Sequence, residues 1–322
     1  MLTPRTELYK EATIIITLRA VPLPGQAPKL KLVHCFSAGI DHMMKSPLYT
    51  DSNVSFTTGS GVRAPQVAEH IFMVLLAMTH HFPPMLSSQA ASRWGGHKAS
   101  DSHFNVVHDL FGNTVLILGY GAIGRQTARV AKSFGMKVLA YTANPKNTPE
   151  SRKDTKFYVQ GTGDADGTLP DEWISGPSVE ERRGFLARDD IDCVVISMPL
   201  TKNTKHFLGK EELALLGKPR RKTGRGAYII NIGRGGIIDH GALTEALKSG
   251  GIAGAALDVT EPEPLPSESE LWKMSNVIIT PHISGAGYMN NYDRALEILM
   301  WNLERLAGGR QLVNEVSREK GY

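Results

Sequence analysis

The sequence predicts an α/β protein organised on a doubly wound, all-parallel sheet. Three observations carry this. Short, continuously apolar runs alternate with helix patterns through the second half of the chain, the order that a parallel sheet covered on both faces produces. Thr114 to Phe134 reads TVLILGYGAIGRQTARVAKSF, a buried strand that turns through glycines straight into a helix. A length of 322 residues accommodates two ordinary domains, each with its own core.

The elements follow in order. Thr13–Leu18, Leu30–Phe36 and Val54–Thr57 read as strands, and Ala64–Thr79 as a long helix that stops before Pro83 and Pro84. Met85–Asp109 is polar and irregular, holds Trp94, and reads as a crossing segment, a lid or an interface arm. Val115–Leu118 is the first strand of the next domain. Its helix, Gln126–Phe134, ends at Gly135, and Lys137–Tyr141 is the second strand. Lys146–Pro177 carries turn signals and reads as an inserted surface excursion. Ser178, with Glu181 three residues on, has capping-box spacing and starts a helix. Ile191–Ser197, Ala227–Ile232, Gly254–Asp258 and Val277–Thr280 complete six strands, with helices at Glu211–Leu216 and His240–Lys248. Asn290–Leu306 is amphipathic and helical. Crossings near Ala64 and Gly285 divide the chain into 1–63 with 286–322, and 64–285.

Composition narrows the function. At 41% hydrophobic and 21% charged residues the chain is an ordinary globular protein. A net charge of +4 with interspersed signs argues against a nucleic-acid surface. The basic run Lys218–Lys222 lies in a turn and reads as a solvated loop. Cys35 and Cys193 sit in strands without metal-ligand spacing and fit a reducing compartment. The longest apolar run, Ile71–Met78, is too short for a bilayer. A cytoplasmic protein with no metal and no membrane partner is expected.

The glycine turn has a chemical use. Gly119 permits the tight bend, Gly121 lets the backbone approach a pyrophosphate, and Gly124 lets helix and strand pack closely. Free N–H groups and the positive end of the helix dipole then face the phosphates. A glycine pattern alone is weak; strand before and helix after make a dinucleotide site the favoured reading.

In an open parallel sheet, ligands bind beyond the carboxyl ends of the strands. Those ends carry Met198-Pro199, Asn231–Arg234, Asp258–Glu263 and Pro281-His282. Taken singly, Arg234 reads as a solvated turn residue, Glu263 as one surface charge among several, and His282 as one structural histidine of eleven. Together they bring a guanidinium, a carboxylate and an imidazole to the rim that holds the dinucleotide.

Five segments, Gly119–Gly124, SMPLTKNTKHFLG (Ser197–Gly209), NIGRGGIID (Asn231–Asp239), ALDVTEPEPLP (Ala256–Pro266) and NVIITPHISG (Asn276–Gly285), give a resemblance to the D-isomer-specific 2-hydroxyacid dehydrogenase family from about Leu30 onward. Within it the chain is most similar to glyoxylate/hydroxypyruvate reductase-like members. The resemblance implies a Rossmann nucleotide domain and a smaller flavodoxin-like α/β substrate domain, here shortened at its N-terminus, where the first strand and helix look absent. It assigns Arg234 to the substrate carboxylate and keto oxygen, His282 to proton transfer, Glu263 rather than Glu261 to that histidine, and Asp258 to the nicotinamide carboxamide side. The substrate carboxylate would also meet the turn Ser37, Ala38, Gly39 and Ile40. The cofactor would run along Gly119, Tyr120, Gly121, Ala122, Ile123, Gly124, Thr142, Met198, Pro199, Thr204, Ile232, Gly233, Arg234, Asp258, His282 and Gly285. It further implies a homodimer through the nucleotide domain, with Ala64–Thr79 and the Trp94 segment as the arm.

The chemistry accounts for these residue types. Adding hydride to a 2-keto acid develops negative charge on the carbonyl oxygen. A guanidinium can grip the carboxylate and polarise that carbonyl with planar donors, and an imidazolium can supply the proton. The second strand ends at Thr142 rather than a carboxylate, with Lys146, Arg152 and Lys153 beyond, so NADP is expected over NAD. The long loop before Asp190 reads as decoration. Phe36, Ile40, Met43, Tyr288 and Tyr292 are candidates for the pocket or for the core. Two alternatives stand beside the enzyme: a nucleotide-sensing scaffold, and a poorly active shortened paralogue.

Overall fold

The computed structural model describes residues 6–94, 107–176, 178–286 and 290–319. The chain forms two compact units, the larger Ala64–Asp154 and Thr162–Ala286, the smaller Met1–Arg63, Thr155–Gly161 and Gly287–Tyr322.

The smaller unit holds a three-stranded parallel sheet in the order β1 (Ile14–Thr17), β2 (Leu32–Cys35), β3 (Ser55–Thr58). Ile14 pairs with Leu32, which pairs with Ser55. The central strand is buried along its length, and β1 is an edge strand, where Ile16 and the following Leu18 are exposed. The short helix α1 (Thr6–Tyr9) precedes β1, and α2 (Pro47–Thr50) lies between β2 and β3. Ile40 and Met43 lie in the core of this sheet. Tyr288 lies outside the described residues.

Seven strands, not six, form the sheet of the larger unit. They are β4 (Thr114–Leu118), β5 (Lys137–Thr142), β6 (Glu172–Ser175), β7 (Cys193–Ile196), β8 (Tyr228–Asn231), β9 (Gly254–Leu257) and β10 (Val277–Ile279). Their order is β10-β9-β8-β7-β4-β5-β6, and every pair is parallel. Helices α3 (Ala64–Thr79), α4 (Phe82–Ala90), α5 (Ala122–Ser133), α6 (Pro149–Arg152), α7 (Val179–Leu186), α8 (Lys210–Leu216) and α9 (His240–Lys248) accompany it. Alternate residues of each central strand enter opposite cores: Leu116, Leu118, Val194 and Ile196 face one, Val115, Ile117, Cys193 and Val195 the other. That is why these strands are apolar throughout rather than alternating. The expected doubly wound sheet is present.

Three local expectations need correction. The segment after Thr79 is not irregular throughout: α4 begins at Phe82 with Pro83 and Pro84 in its first turn, where a missing N–H costs nothing and φ is preset. Residues 95–106 of the expected arm lie outside the described residues. The excursion after Thr142 contains α6 and the edge strand β6, whose Glu172–Ser175 is short and only part-buried. Its loop is tied down by α5. Arg129 Nε donates to the Gly163 carbonyl at 2.7 Å, Gly163 N donates to Gln126 Oε1 at 2.6 Å, and the buried Arg125 guanidinium reaches the Asp164 and Arg152 carbonyls. Within the smaller unit, Thr155–Gly161 packs Phe157 against Val62, Ala295 and Ile298, the last two on α10 (Asn290–Ala307). Finally, the basic run is not wholly solvated: Arg220 is 1% exposed and donates to the Leu215 and Arg188 carbonyls.

Candidate active site

Because every strand of the large sheet is parallel, all the carboxyl-end turns lie on one rim. Strand order reverses around β4, and there the turns after β4 and β7 meet: a Cβ on Gly119 would sit 2.7 Å from the Met198 nitrogen. This is the crevice where such sheets bind ligands. The three glycines divide the work physically. Gly119 has φ +101°, a conformation that a side chain disfavours. A Cβ on Gly124 would lie 2.2 Å from the Gly119 carbonyl oxygen, whereas a Cβ on Gly121 would meet nothing within 4 Å. Space is therefore left open only at Gly121, which caps α5 where Ala122, Ile123 and Gly124 present unpaired N–H groups. That cradle fits the pyrophosphate of a dinucleotide.

The remaining residues expected around a cofactor stand as follows. Tyr120 is buried, its hydroxyl donating to Asp164 Oδ2 at 2.8 Å and its ring edge-on to Trp173, so its backbone alone faces the turn. Thr142 Oγ1 donates to the Asn144 carbonyl at 2.8 Å. Thr204 Oγ1 donates to the Pro199 carbonyl and accepts from Thr201 N, both at 2.7 Å, which ties up the hydroxyl in its own turn. Met198 and Ile232 are buried. Gly285 ends the turn after His282.

Arg234 follows β8, half-buried, with Nη1 donating to the Gly233 carbonyl at 2.8 Å. Asn231, fully buried, clasps this turn from both ends: Oδ1 accepts from Gly233 N at 3.1 Å, and Nδ2 donates to the Arg234 carbonyl at 3.0 Å. A Cβ on Gly235 would lie 2.0 Å from the Thr260 carbonyl oxygen. Glycine there lets the Arg234 turn lie flat against the loop that carries Glu263.

The imidazole and carboxylate meet. His282 Nδ1 lies 2.6 Å from Glu263 Oε1, with the two side chains 51% and 42% exposed. A carboxylate only accepts, so Nδ1 carries the proton and Nε2 is the atom turned to other work. Glu261 instead lies 3.0 Å from His206 Nε2.

His282 has φ +54°, the left-handed region that a residue with a side chain enters only when its surroundings hold it there. Asp258 does so. Its carbonyl accepts from His282 N at 2.9 Å; Oδ1 accepts from Ile283 N at 2.9 Å and Oδ2 from Ser284 N at 3.0 Å. Thr280 Oγ1 also donates to Oδ1 at 2.7 Å. Burial pushes this carboxyl up, but the Ser284, Thr280 and Ile283 hydrogen bonds outweigh it and hold it below its ordinary value. The Ser284 side chain also hydrogen-bonds this carboxylate. Sequence reasoning missed Asn231, Thr280 and His70 of α3; the one signal was His70, a polar interruption of an apolar helix face.

In the smaller unit, Ser37 Oγ is buried without a hydrogen-bond partner, and Phe36 meets Tyr292 edge-on at 5.2 Å.

Known proteins resemble this chain in sequence and fold. Residues 72–162 and 184–284 match the model of the D-isomer specific 2-hydroxyacid dehydrogenase NAD binding domain. A glyoxylate reductase of Thermococcus litoralis is 32% identical over 97% of this chain and 86% of its own length. A D-isomer specific 2-hydroxyacid dehydrogenase family protein of Aeromonas salmonicida superposes with a TM-score of 0.73 at 30% identity, covering 97% of this chain and 87% of its own. A D-isomer specific 2-hydroxyacid dehydrogenase of Xanthobacter autotrophicus, solved with NADPH and MES, gives 0.74 at 27% identity, covering 98% and 86%. With the open glycine cradle and the strand-end residues on one rim, these likenesses establish that the chain belongs to the D-isomer-specific 2-hydroxyacid dehydrogenase family, as an NAD(P)-dependent oxidoreductase.

Proposed function

We propose that the protein reduces a small 2-keto acid of the glyoxylate or hydroxypyruvate type to its 2-hydroxy acid, preferring NADPH. The observation that carries this is the 2.6 Å contact between His282 Nδ1 and Glu263 Oε1, on the same rim as the glycine cradle. Reduced nicotinamide, when bound, supplies the hydride to the carbonyl carbon. His282 Nε2 gives its proton to the carbonyl oxygen as charge builds there, and Glu263 compensates the imidazolium before that transfer. The half-exposed ring then regains a proton from water. Arg234 grips the substrate carboxylate and polarises the carbonyl, and the Ser37–Ile40 turn is assigned to the same carboxylate.

NADPH preference rests on the end of β5, where Thr142 offers no carboxylate to repel a 2′-phosphate. Lys146 and Lys153 are the candidate cations; Arg152 Nε is already given to the Lys146 carbonyl at 2.9 Å. The proposal includes a homodimer through the larger unit, supported by the apolar residues that α3, α4 and the following turn leave exposed: Met73, Phe82, Met85, Leu86 and Trp94. It also includes the cytoplasm as location; no helix among the described residues is long and apolar enough to cross a membrane.

Oxidation of NADPH and NADH, followed side by side with glyoxylate, hydroxypyruvate and a bulkier 2-keto acid, tests the reading. Turnover with the small acids, faster with NADPH, is expected. Tight cofactor binding without turnover would favour a nucleotide-sensing scaffold. Poor binding by an unstable protein would favour a disabled paralogue.

A further inference from the structure

A chain of hydrogen bonds runs from α3 to the turn that carries the imidazole. Thr280 Oγ1 lies 2.7 Å from Asp258 Oδ1 and 3.2 Å from His70 Nε2. The ionised carboxylate can only accept, so the threonine hydroxyl donates to Asp258 and its lone pair accepts from His70 Nε2–H. His70 Nε2 is itself 4.0 Å from Asp258 Oδ1, and the two side chains are 10% and 1% exposed. Burial lowers the pKa of His70, with the Asp258 charge opposing, which keeps the ring neutral with a single N–H to give.

We propose that His70 and Thr280 are positioning residues for His282. They fix the rotamer of Asp258 so that its two oxygens hold the consecutive N–H groups of Ile283 and Ser284, and thereby hold the left-handed backbone at His282. Oδ1 has two lone pairs, filled by Thr280 Oγ1–H and Ile283 N–H, and Thr280 is fixed in turn by His70. Removing the hydroxyl leaves the His70 N–H buried without an acceptor and loosens the carboxylate, which then keeps only its bonds from Ile283 and Ser284. The left-handed turn then loses part of what stabilises it, and the imidazole moves with the backbone. This rests on the reading of His282 as proton donor.

The test compares Thr280→Val, which keeps the shape, with Thr280→Ser, which keeps the hydroxyl, and His70→Leu with His70→Gln, which keeps an N–H. Two readouts are taken: kcat with glyoxylate at saturating NADPH, and amide hydrogen exchange at Ile283 and Ser284 in the ligand-free protein. Thr280→Val should speed exchange at both amides and lower kcat about 10- to 100-fold, the scale of an ångström's misplacement. NADPH affinity should fall much less than kcat, because the glycine cradle is untouched, a split that general loosening of the fold would not give. Thr280→Ser should restore both readouts, and His70→Gln should be milder than His70→Leu. Faster exchange with unchanged kcat would overturn the positioning role, as would equal loss in the Val and Ser variants. If the unaltered enzyme turns over no 2-keto acid, the proposed function fails. The exchange comparison then judges the relay alone, and unchanged protection in Thr280→Val overturns it.

Discussion

Two glycines three residues apart are expected to answer the same substitution in opposite ways. At Gly124 a methyl group would stand 2.2 Å from the Gly119 carbonyl oxygen and 3.1 Å from Ile117 Cγ2. The nearer atom is backbone of the turn, so more than an ångström of movement is required to reach ordinary contact. Overpacking of this kind costs about 1–3 kcal/mol, against which alanine's better helix propensity returns up to about 1 kcal/mol. A net loss near 1–2 kcal/mol lowers the Tm of a domain this size by about 2–8 °C. At Gly121 the backbone is extended with φ −85°, and a methyl group meets nothing within 4 Å. Gly121→Ala should therefore keep its Tm to within a few degrees yet fill the space assigned to the pyrophosphate. An NADPH affinity at least tenfold weaker, about 1.4 kcal/mol, is expected. Thermal unfolding without ligand and fluorescence titration with NADPH read the two effects separately. If Gly121→Ala binds NADPH as the unaltered protein does, the cradle is not where the phosphates lie.

Three further outcomes follow from the site and the core. His282→Ala should lower kcat about 10²- to 10⁴-fold while cofactor binding persists; near-normal turnover in steady-state assays refutes the proton-donor role. Arg234→Lys keeps the charge but loses the planar fork, so KM for the keto acid should rise and kcat fall together, and an unchanged KM would remove the clamp. His34 is wholly buried, with Nδ1 2.9 Å from Thr57 Oγ1 and Nε2 3.0 Å from the Ala295 carbonyl, and burial holds it below its ordinary 6.5. The unfolded chain then binds more protons as pH falls below 6.5, so the His34 contribution is complete above 6.5 and is lost through the window down to the lowered value. The slope is at most about 1.4 kcal/mol per pH unit. Part-buried His70, His108 and His240 act in the same direction, and denaturant midpoints between pH 7.5 and 5 should fall; a rise would contradict the neutral state of these rings.

Much of the fold was legible because the pattern and its punctuation agreed. Ala64–Thr79 and His240–Lys248 carry strong periodicity and end where the sequence indicates, and Ser178 caps α7 with Glu181 returning the bond. Where the signals conflicted, the reading failed. Pro83 and Pro84 mark a break in most contexts, yet here they open α4. Strand β6 has four residues at the sheet's edge, only one of them buried, and offers no apolar run. Strand ends pointed to Arg234, Glu263 and His282, but not to their supports. Asn231 and Thr280 look like ordinary polar residues until the turn they hold is seen, and His70 looks like a core histidine until its partner 210 positions away is known.

The placement of Thr155–Gly161 bears on how the molecule can be dissected. A fragment cut at residues 63 and 287 would keep the whole nucleotide-binding sheet, yet it would also keep Phe157, stripped of Val62, Ala295 and Ile298. Such a fragment would present a greasy finger to solvent and invite self-association. Shortening the chain from Asp154 to Thr162 with a few polar residues removes that finger. The autonomy of the larger unit is thus decided by seven residues that belong to its neighbour's core.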